Sequence, residues 1–332
     1  MYSRYKSKKR DNLFLKILAI LVLVIGSGYL IYTYRSYIFF WKYTFNKLEA
    51  KIAEASRIKD REQRKNLLLE LNKLFKDSKD ENITSADSFL RAGKVHFLLG
   101  ETYLKSSFSD MVINDTLKDT PPEAHAEFAS AIKDVRKGLA LYGYNDMQEY
   151  FILLAKASFY TGYYPIEEIA KLTASIDSPE KMGGIETVRF IGVTGILNGK
   201  EDAGLELIKK YGHVGDTLEG QLFLATAYKL AKRYTNAIME YKQVLAKTKD
   251  NSIMKLAQIN LGKIYFIQSL YSESLAQFNN ALKIDERDMM LKIWIGKSYS
   301  AMGDKTKAKA VWTEVLTSDR SNEEVKKLLG VM

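Results

Sequence analysis

The side chains able to do chemistry in this chain are few and scattered. Its three histidines, His96, His125 and His213, lie on different predicted elements, and it has no cysteine. A metal site needs several ligands at short spacing or converging from facing elements. None of the three histidines has such a partner, so each reads as a surface or packed side chain. Without cysteine there are no disulfides, thiol nucleophiles or cysteine-based metal sites. Gly195-Ile196-Leu197-Asn198-Gly199-Lys200 has the glycines and lysine of a phosphate-binding loop. That loop needs a longer gap between its glycines, a Ser or Thr after the lysine and a strand in front. Here Glu201 follows Lys200 and the context is helical, so a joint between two helices is the better reading. The paired acids Glu167-Glu168 and Glu323-Glu324 sit on charged helix ends with no converging base. Asn82-Ile83-Thr84 and Asn114-Asp115-Thr116 are sequons that matter only in a eukaryotic secretory pathway. The chain is therefore expected to be no enzyme, with no cofactor, no metal and no small-molecule substrate.

Charge narrows the partners further. The net charge of +10 is concentrated at the start, where residues 1–46 hold eight Lys or Arg and one acid. Subtracting these from 50 basic and 40 acidic residues leaves 42 and 39 in residues 47–332, a balance of +3. That gives no electrostatic support for nucleic-acid binding. The expected partners are proteins.

The elements that must position any site announce themselves by repetition. One stretch reads Leu224-Ala225, Tyr228, Tyr234, Ala237, Tyr241 and Leu245. The next reads Leu261-Gly262, Tyr265, Tyr271, Ser274, Phe278, Ala281 and Leu282. A third reads Ile295-Gly296, Tyr299, Gly303, Ala308, Trp312 and Leu316. Equivalent residues are 37 and then 34 positions apart, the period of a stacked helix-turn-helix array. The small residue lets one helix approach its neighbour closely, and the aromatic one turn away fills the adjacent gap. No hairpin can bury both its faces alone, so several must stack.

These residues resemble tetratricopeptide repeats. The family's Gly-Asp turn appears as Gly303-Asp304, whereas Lys232-Arg233 and Ser269-Leu270 replace it in the two preceding units. The resemblance implies an all-α superhelical solenoid of about six hairpins. Its clear units are 218–251, 255–288 and 289–322, with weaker ones at 85–142, 148–181 and 185–216 and a charged capping helix at 322–331. In the unit at 185, Gly195 and Gly204 stand where an aromatic and an alanine are usual. The unit at 85–142 is interrupted between Ser106 and Thr120 by a stretch that is either a binding loop or a plain insertion.

Ahead of the solenoid (81–332), residues 42–80 form a charged helical stem. Leu48, Ile52 and Ala55 make one apolar stripe and Leu67, Leu71, Leu74 and Phe75 a second, with a charged stretch from Arg57 to Arg64 between them. The stem is expected to pack onto its own solenoid. Between Lys16 and Arg35 there are 18 consecutive uncharged residues, enough to span a bilayer. Basic residues precede them, and Tyr32, Tyr34, Tyr37, Trp41 and Tyr43 follow as an interfacial belt. Residues 1–16 thus read as a cytoplasmic tail and 17–41 as a transmembrane signal anchor. The expected topology is single-pass in a bacterial inner membrane, with the solenoid in the periplasm.

Helical arrays bind along the groove lined by their first helices. The register above puts Ile152, Lys156 and Phe159 there, then Arg189 and Val193, then Leu222, Thr226 and Lys229. The last two units add Ile259, Lys263 and Phe266, then Ile293, Trp294 and Lys297. Lys156, Lys263 and Lys297 occupy equivalent places, an intermittent basic line through an apolar trough. An amphipathic helix or extended segment bearing acids would suit it. Relatives that clamp a peptide carboxylate pair lysine with asparagine here, and Asn260 lies near Lys263, but the remainder of that clamp is missing. Two roles follow from the resemblance. One is a scaffold within an envelope-spanning assembly such as a secretion system, a pilus or the periplasmic collar of a flagellar motor, where oligomerisation would be natural. The other is a periplasmic chaperone-like factor beside a protein-export channel.

Overall fold

The computed structural model describes residues 45–79, 85–117, 119–142, 147–174 and 183–330, with isolated positions 27, 29, 176, 178 and 181. Every element is helical and no strand occurs among the described residues. In order they are α1 (Phe45–Arg57), α2 (Arg61–Lys79), α3 (Ala86–Tyr103), the short α4 (Phe108–Ile113) and α5 (Pro122–Tyr142). Then come five hairpins: α6 (Gln148–Thr161) with α7 (Ile166–Ala174), α8 (Gly184–Leu197) with α9 (Glu201–Tyr211), α10 (Leu218–Leu230) with α11 (Tyr234–Lys247), α12 (Asn251–Ile267) with α13 (Tyr271–Ile284), and α14 (Met289–Ala301) with α15 (Lys305–Ser318). Helix α16 (Glu323–Leu329) closes the series. No helix among the described residues is long and apolar enough to cross a membrane. The tail 1–16 and the expected span 17–41 lie outside the described residues, apart from Ser27 and Tyr29. The sequon at Asn82 lies outside them too.

Contacts divide the chain into two compact units, Met1–Tyr103 with Pro121–Tyr150, and Leu104–Thr120 with Phe151–Met332. In the first, Leu48, Ile52 and Ala55 of α1 and Leu68, Leu71 and Phe75 of α2 close on Ala92, Val95, Leu98 and Leu99 of α3. In the second stem stripe Leu71 and Phe75 are buried as expected, Leu68 joins them, and Leu67 and Leu74 pack against the core only partly buried. The charged stretch breaks the helix at 58–60. Arg61 then donates to the Thr102 carbonyl and Arg64 reaches Glu101 at 2.8 Å, fixing α2 to the end of α3. Helices α3 and α5 approach closely because Gly100 faces the Phe128 ring and Gly138 faces Leu90; a Cβ at either would lie 2.7 Å from its neighbour.

The second unit is built from one repeated contact. In the four hairpins from α8 onward a small residue on the first helix receives a large side chain 16 positions later on the second. Gly262 faces Phe278 and Gly296 faces Trp312, whose indole N–H donates to the Ile293 carbonyl at 3.2 Å. Ala225 and Tyr241, with the same spacing, are both fully buried. Gly192 and Ile208 continue the series in the unit at 185–216, where Gly195 does stand in place of the first-helix aromatic and Ile208 occupies the second-helix position of Tyr241, Phe278 and Trp312. There a branched aliphatic side chain takes the second-helix aromatic's place, and Gly204 lies against the Gly192 carbonyl.

The hairpin turns are also one device. Each first helix ends with a left-handed residue: Gly162, Gly199, Lys232, Ser269 or Gly303. The next amide bonds back five residues, as in Lys200 N–H to Gly195 (2.9 Å), Arg233 N–H to Tyr228 (2.9 Å) and Asp304 N–H to Tyr299 (2.9 Å). This is the Schellman termination, which satisfies carbonyls the helix leaves open. Lys232 and Ser269 replace the family's glycine in sequence yet keep its geometry, at φ of 56° and 62°. Helix α12 begins four residues before the expected 255, because the Asp250 carboxylate caps it by accepting from Ser252 and Ile253 N–H.

Candidate functional site

All the groove candidates fall on the first helices of the hairpins, α6, α8, α10, α12 and α14. They do not form an open trough. Ile152, Val193, Leu222 and Ile293 are buried between helices, and so are Arg189 and Thr226. A stripe at i, i+4 and i+7 drifts around the helix, so these members fall on the packed side of its boundary. The Thr226 hydroxyl donates to the Leu222 carbonyl at 2.9 Å and shares a 2.8 Å bond with the Tyr241 hydroxyl. Partial exposure is left to Lys156, Phe159, Lys229, Ile259, Lys263, Phe266, Trp294 and Lys297.

Much of that face is covered by the chain itself. The interruption after Tyr103, expected as a binding loop or a plain insertion, holds a short helix. Helix α4 lies against α8 and α10 with Phe108, Ser109, Met111, Val112 and Ile113 buried. Local chemistry forms the helix. The Ser107 side chain accepts from Asp110 N–H at 3.1 Å while Asp110 accepts from the Ser107 hydroxyl and amide, a capping box. Its end repeats the hairpin-turn motif, with Asp115 left-handed at φ 63° and Thr116 N–H bonded to Met111 at 2.9 Å.

Three kinds of contact hold this segment. The Phe108 ring meets Phe190 and Phe159 edge-on, with centroids at 5.2 and 5.8 Å, and those two rings meet at 5.5 Å. Ser109 donates from its amide and hydroxyl to the two oxygens of Glu186, at 3.1 and 2.5 Å. Its hydroxyl accepts from Arg189 at 2.9 Å. Arg189 also donates to Glu219 at 2.6 Å and to the Gly212 carbonyl at 3.1 Å, and lies over the Phe223 ring. At the far end Asp115 pairs with Lys263 at 3.1 Å.

Each lysine of the expected basic line therefore has a partner from this chain. Lys156 donates to the Thr187 hydroxyl at 2.9 Å, Lys263 to Asp115, and Lys297 to Glu324 of the capping helix at 2.6 Å. Asn260 is buried and engaged, accepting from Lys229 at 2.7 Å and donating to the Leu256 carbonyl. Burial pulls the Lys229 ammonium down to about 8; Asp115 opposes that shift and Lys263 adds to it. Beyond Lys263 the face carries a distinct patch. Trp294 stacks on Phe278 at 5.6 Å and meets Phe266 edge-on at 5.5 Å. Lys297 sits 4.6 Å from the indole centroid and Lys263 5.9 Å. Such half-buried aromatics ringed by cations suit a partner offering apolar and acidic groups.

The histidines do not converge. His96 lies 2.6 Å from Glu127, with Asp134 on its other side, His213 meets Asp216, and His125 is exposed. No group of metal-ligating side chains occurs among the described residues.

The geometry defines a class first: a stack of Schellman-turned hairpins, with a small residue facing a large one in the last four. Residues 198–331 match the model of a tetratricopeptide repeat-like domain, less than half of the chain. The fold likeness extends further. A tetratricopeptide repeat protein from Parabacteroides merdae is similar over 86% of this chain and 98% of that one, with 14% identity and a TM-score of 0.51. The apo form of RapI is similar over 86% of this chain and 80% of its own, with 13% identity and a TM-score of 0.50. No curated protein matches this sequence. The chain thus carries a tetratricopeptide repeat-like fold, a fold suited to binding proteins.

Proposed function

We propose that this chain is a non-catalytic, membrane-tethered scaffold that holds other proteins of a bacterial envelope assembly on the periplasmic side. The observation that carries the scaffold reading is the first-helix face of α8, α10, α12 and α14, whose mixture of half-buried aromatics, paired cations and buried arginine is built to hold a helical segment. The tether rests on the 18 uncharged residues after Lys16 and the basic residues before them. Secretion, pilus or flagellar-motor assemblies are the settings this topology suits. A reporter fused at Met332 tests the topology: activity only on the non-cytoplasmic side supports it, and activity in the cytoplasm refutes it. Cross-linking in native membranes tests the scaffold, which should return the same folded partner in fixed proportion. A changing set of unfolded clients would instead favour a chaperone-like role.

A further inference from the structure

We infer that the segment Phe108–Thr116 is an internal occupant of the partner face, and that the partner docks there through a short helix of the same chemistry. The inference rests on the scaffold reading and specifies its ligand. Three observations point to a bound ligand more than to an ordinary loop. The segment joins α3 to α5 of the first unit, yet it packs within the second. Its helix is capped from its own residues, with a capping box at one end and a Schellman turn at the other, so its helix ends ask nothing of the face it lies against. Its contacts alternate like those of a peptide in a groove: an aromatic anchor at Phe108, a hydroxyl read by Glu186 and Arg189, an apolar turn at Met111 and Val112, and a terminal carboxylate on Lys263.

The face specifies what can replace it. Arg189 is 4% exposed and keeps its other bonds, to Gly212 and Glu219, when Ser109 leaves; its freed N–H would take a hydroxyl or carboxylate from the newcomer. Lys229 and Lys263 lie beside Asp115, so the incoming helix should end in an acid. Past Lys263, Phe266, Trp294 and Lys297 extend the same face. A partner helix longer than α4 gains that patch, and this is how it could outcompete a tethered occupant. A tethered segment competes at an effective concentration in the millimolar range for short flexible linkers, so it masks all but such a ligand.

The probe is a fluorescent peptide of residues 104–117, titrated by anisotropy against the full chain in detergent. Wild type should bind it weakly. Asp115→Lys places a cation against Lys263 and Lys229 on an exposed side chain, and should loosen the internal segment without touching the core. Binding of the wild-type peptide should then tighten about tenfold or more. Phe108→Ser should do the same more strongly. A folded Asp115→Lys chain that binds the peptide no better than wild type would overturn the inference. Hydrogen exchange on the unmodified chain gives a reading that needs no variant: amides of 111–116 should exchange faster than those of α8 and α10 by an opening smaller than global unfolding. Exchange of all of them only through global unfolding would make the segment plain core and also overturn the inference. Native-membrane cross-linking separates the two claims. A partner captured elsewhere, with no peptide binding, leaves the scaffold standing without this ligand; no partner from any face removes the scaffold itself.

Discussion

Substituting alanine for glycine inside a helix normally stabilises it by about 0.5–1 kcal/mol, because glycine loses more backbone freedom on folding. Gly262→Ala should do the opposite. A Cβ at Gly262 would lie 2.6 Å from Phe278 Cε1 and 2.8 Å from Cδ1, about 1 Å inside the usual carbon–carbon separation. Phe278 cannot retreat, since it is fully buried and stacked on Trp294 at 5.6 Å. Overpacking of this kind costs roughly 1–3 kcal/mol, which exceeds the propensity gain and reverses the sign. For a unit of this size each kcal/mol shifts the melting temperature by about 2–4 °C, so a fall of several degrees is expected. The assay is thermal melting followed by circular dichroism, on a double-mutant cycle. Phe278→Leu alone should destabilise, but in the Gly262→Ala background it should recover part of the loss, a coupling of about 0.5–3 kcal/mol. A Gly262→Ala chain that melts higher than wild type, or a cycle that is strictly additive, would refute the proposed register of first helix on second.

The turn geometry predicts opposite effects at neighbouring hairpins. Gly303→Ala, at φ 87° in open space, should lose about 1 kcal/mol through backbone strain alone, whereas Ser269→Gly should gain up to about that amount, both read from urea midpoints. Stability should rise with pH from about 8 towards 10, because folded Lys229 releases its proton near 8 while the unfolded lysine keeps it to its ordinary value. The buried Tyr241, held protonated above its usual range, reverses the trend beyond that window, and Lys229→Met should flatten the rise in a pH series of urea melts. Arg189→Lys keeps the charge but cannot serve Gly212, Ser109 and Glu219 together, and should cost about 1–3 kcal/mol while speeding exchange of the Ser109 amide.

The array was legible in the sequence because its packing is local. Pairs such as Gly262 with Phe278 or Gly296 with Trp312 mark the last four hairpins at a constant spacing of 16, set by helix and turn lengths alone. The same rule would have found Gly192 with Ile208, had the large residue not been required to be aromatic. The turns at Lys232 and Ser269 were obscured because the backbone bonds to Tyr228 and Tyr265 impose the left-handed conformation whatever the side chain. The α12 start was readable at Asp250, a capping residue placed just before Asn251. The covered face was not legible. Its contacts join residues 77, 80 and 148 positions apart, Ser109 to Glu186, Ser109 to Arg189 and Asp115 to Lys263, and no periodicity connects them. The capping box at Ser107 and Asp110 was the one local sign that the interruption holds a helix.

The most direct test of the partner face is site-specific photo-cross-linking in native membranes. A photoreactive residue at Phe266 or Lys297, half-buried on first helices, is compared with one at Met239, exposed on the second helix α11. Selective capture of one protein from Phe266 and Lys297, reduced by an excess of the 104–117 peptide, is the predicted result. Capture from Met239 alone, or capture indifferent to the peptide, would contradict the assignment of the first-helix face as the binding surface.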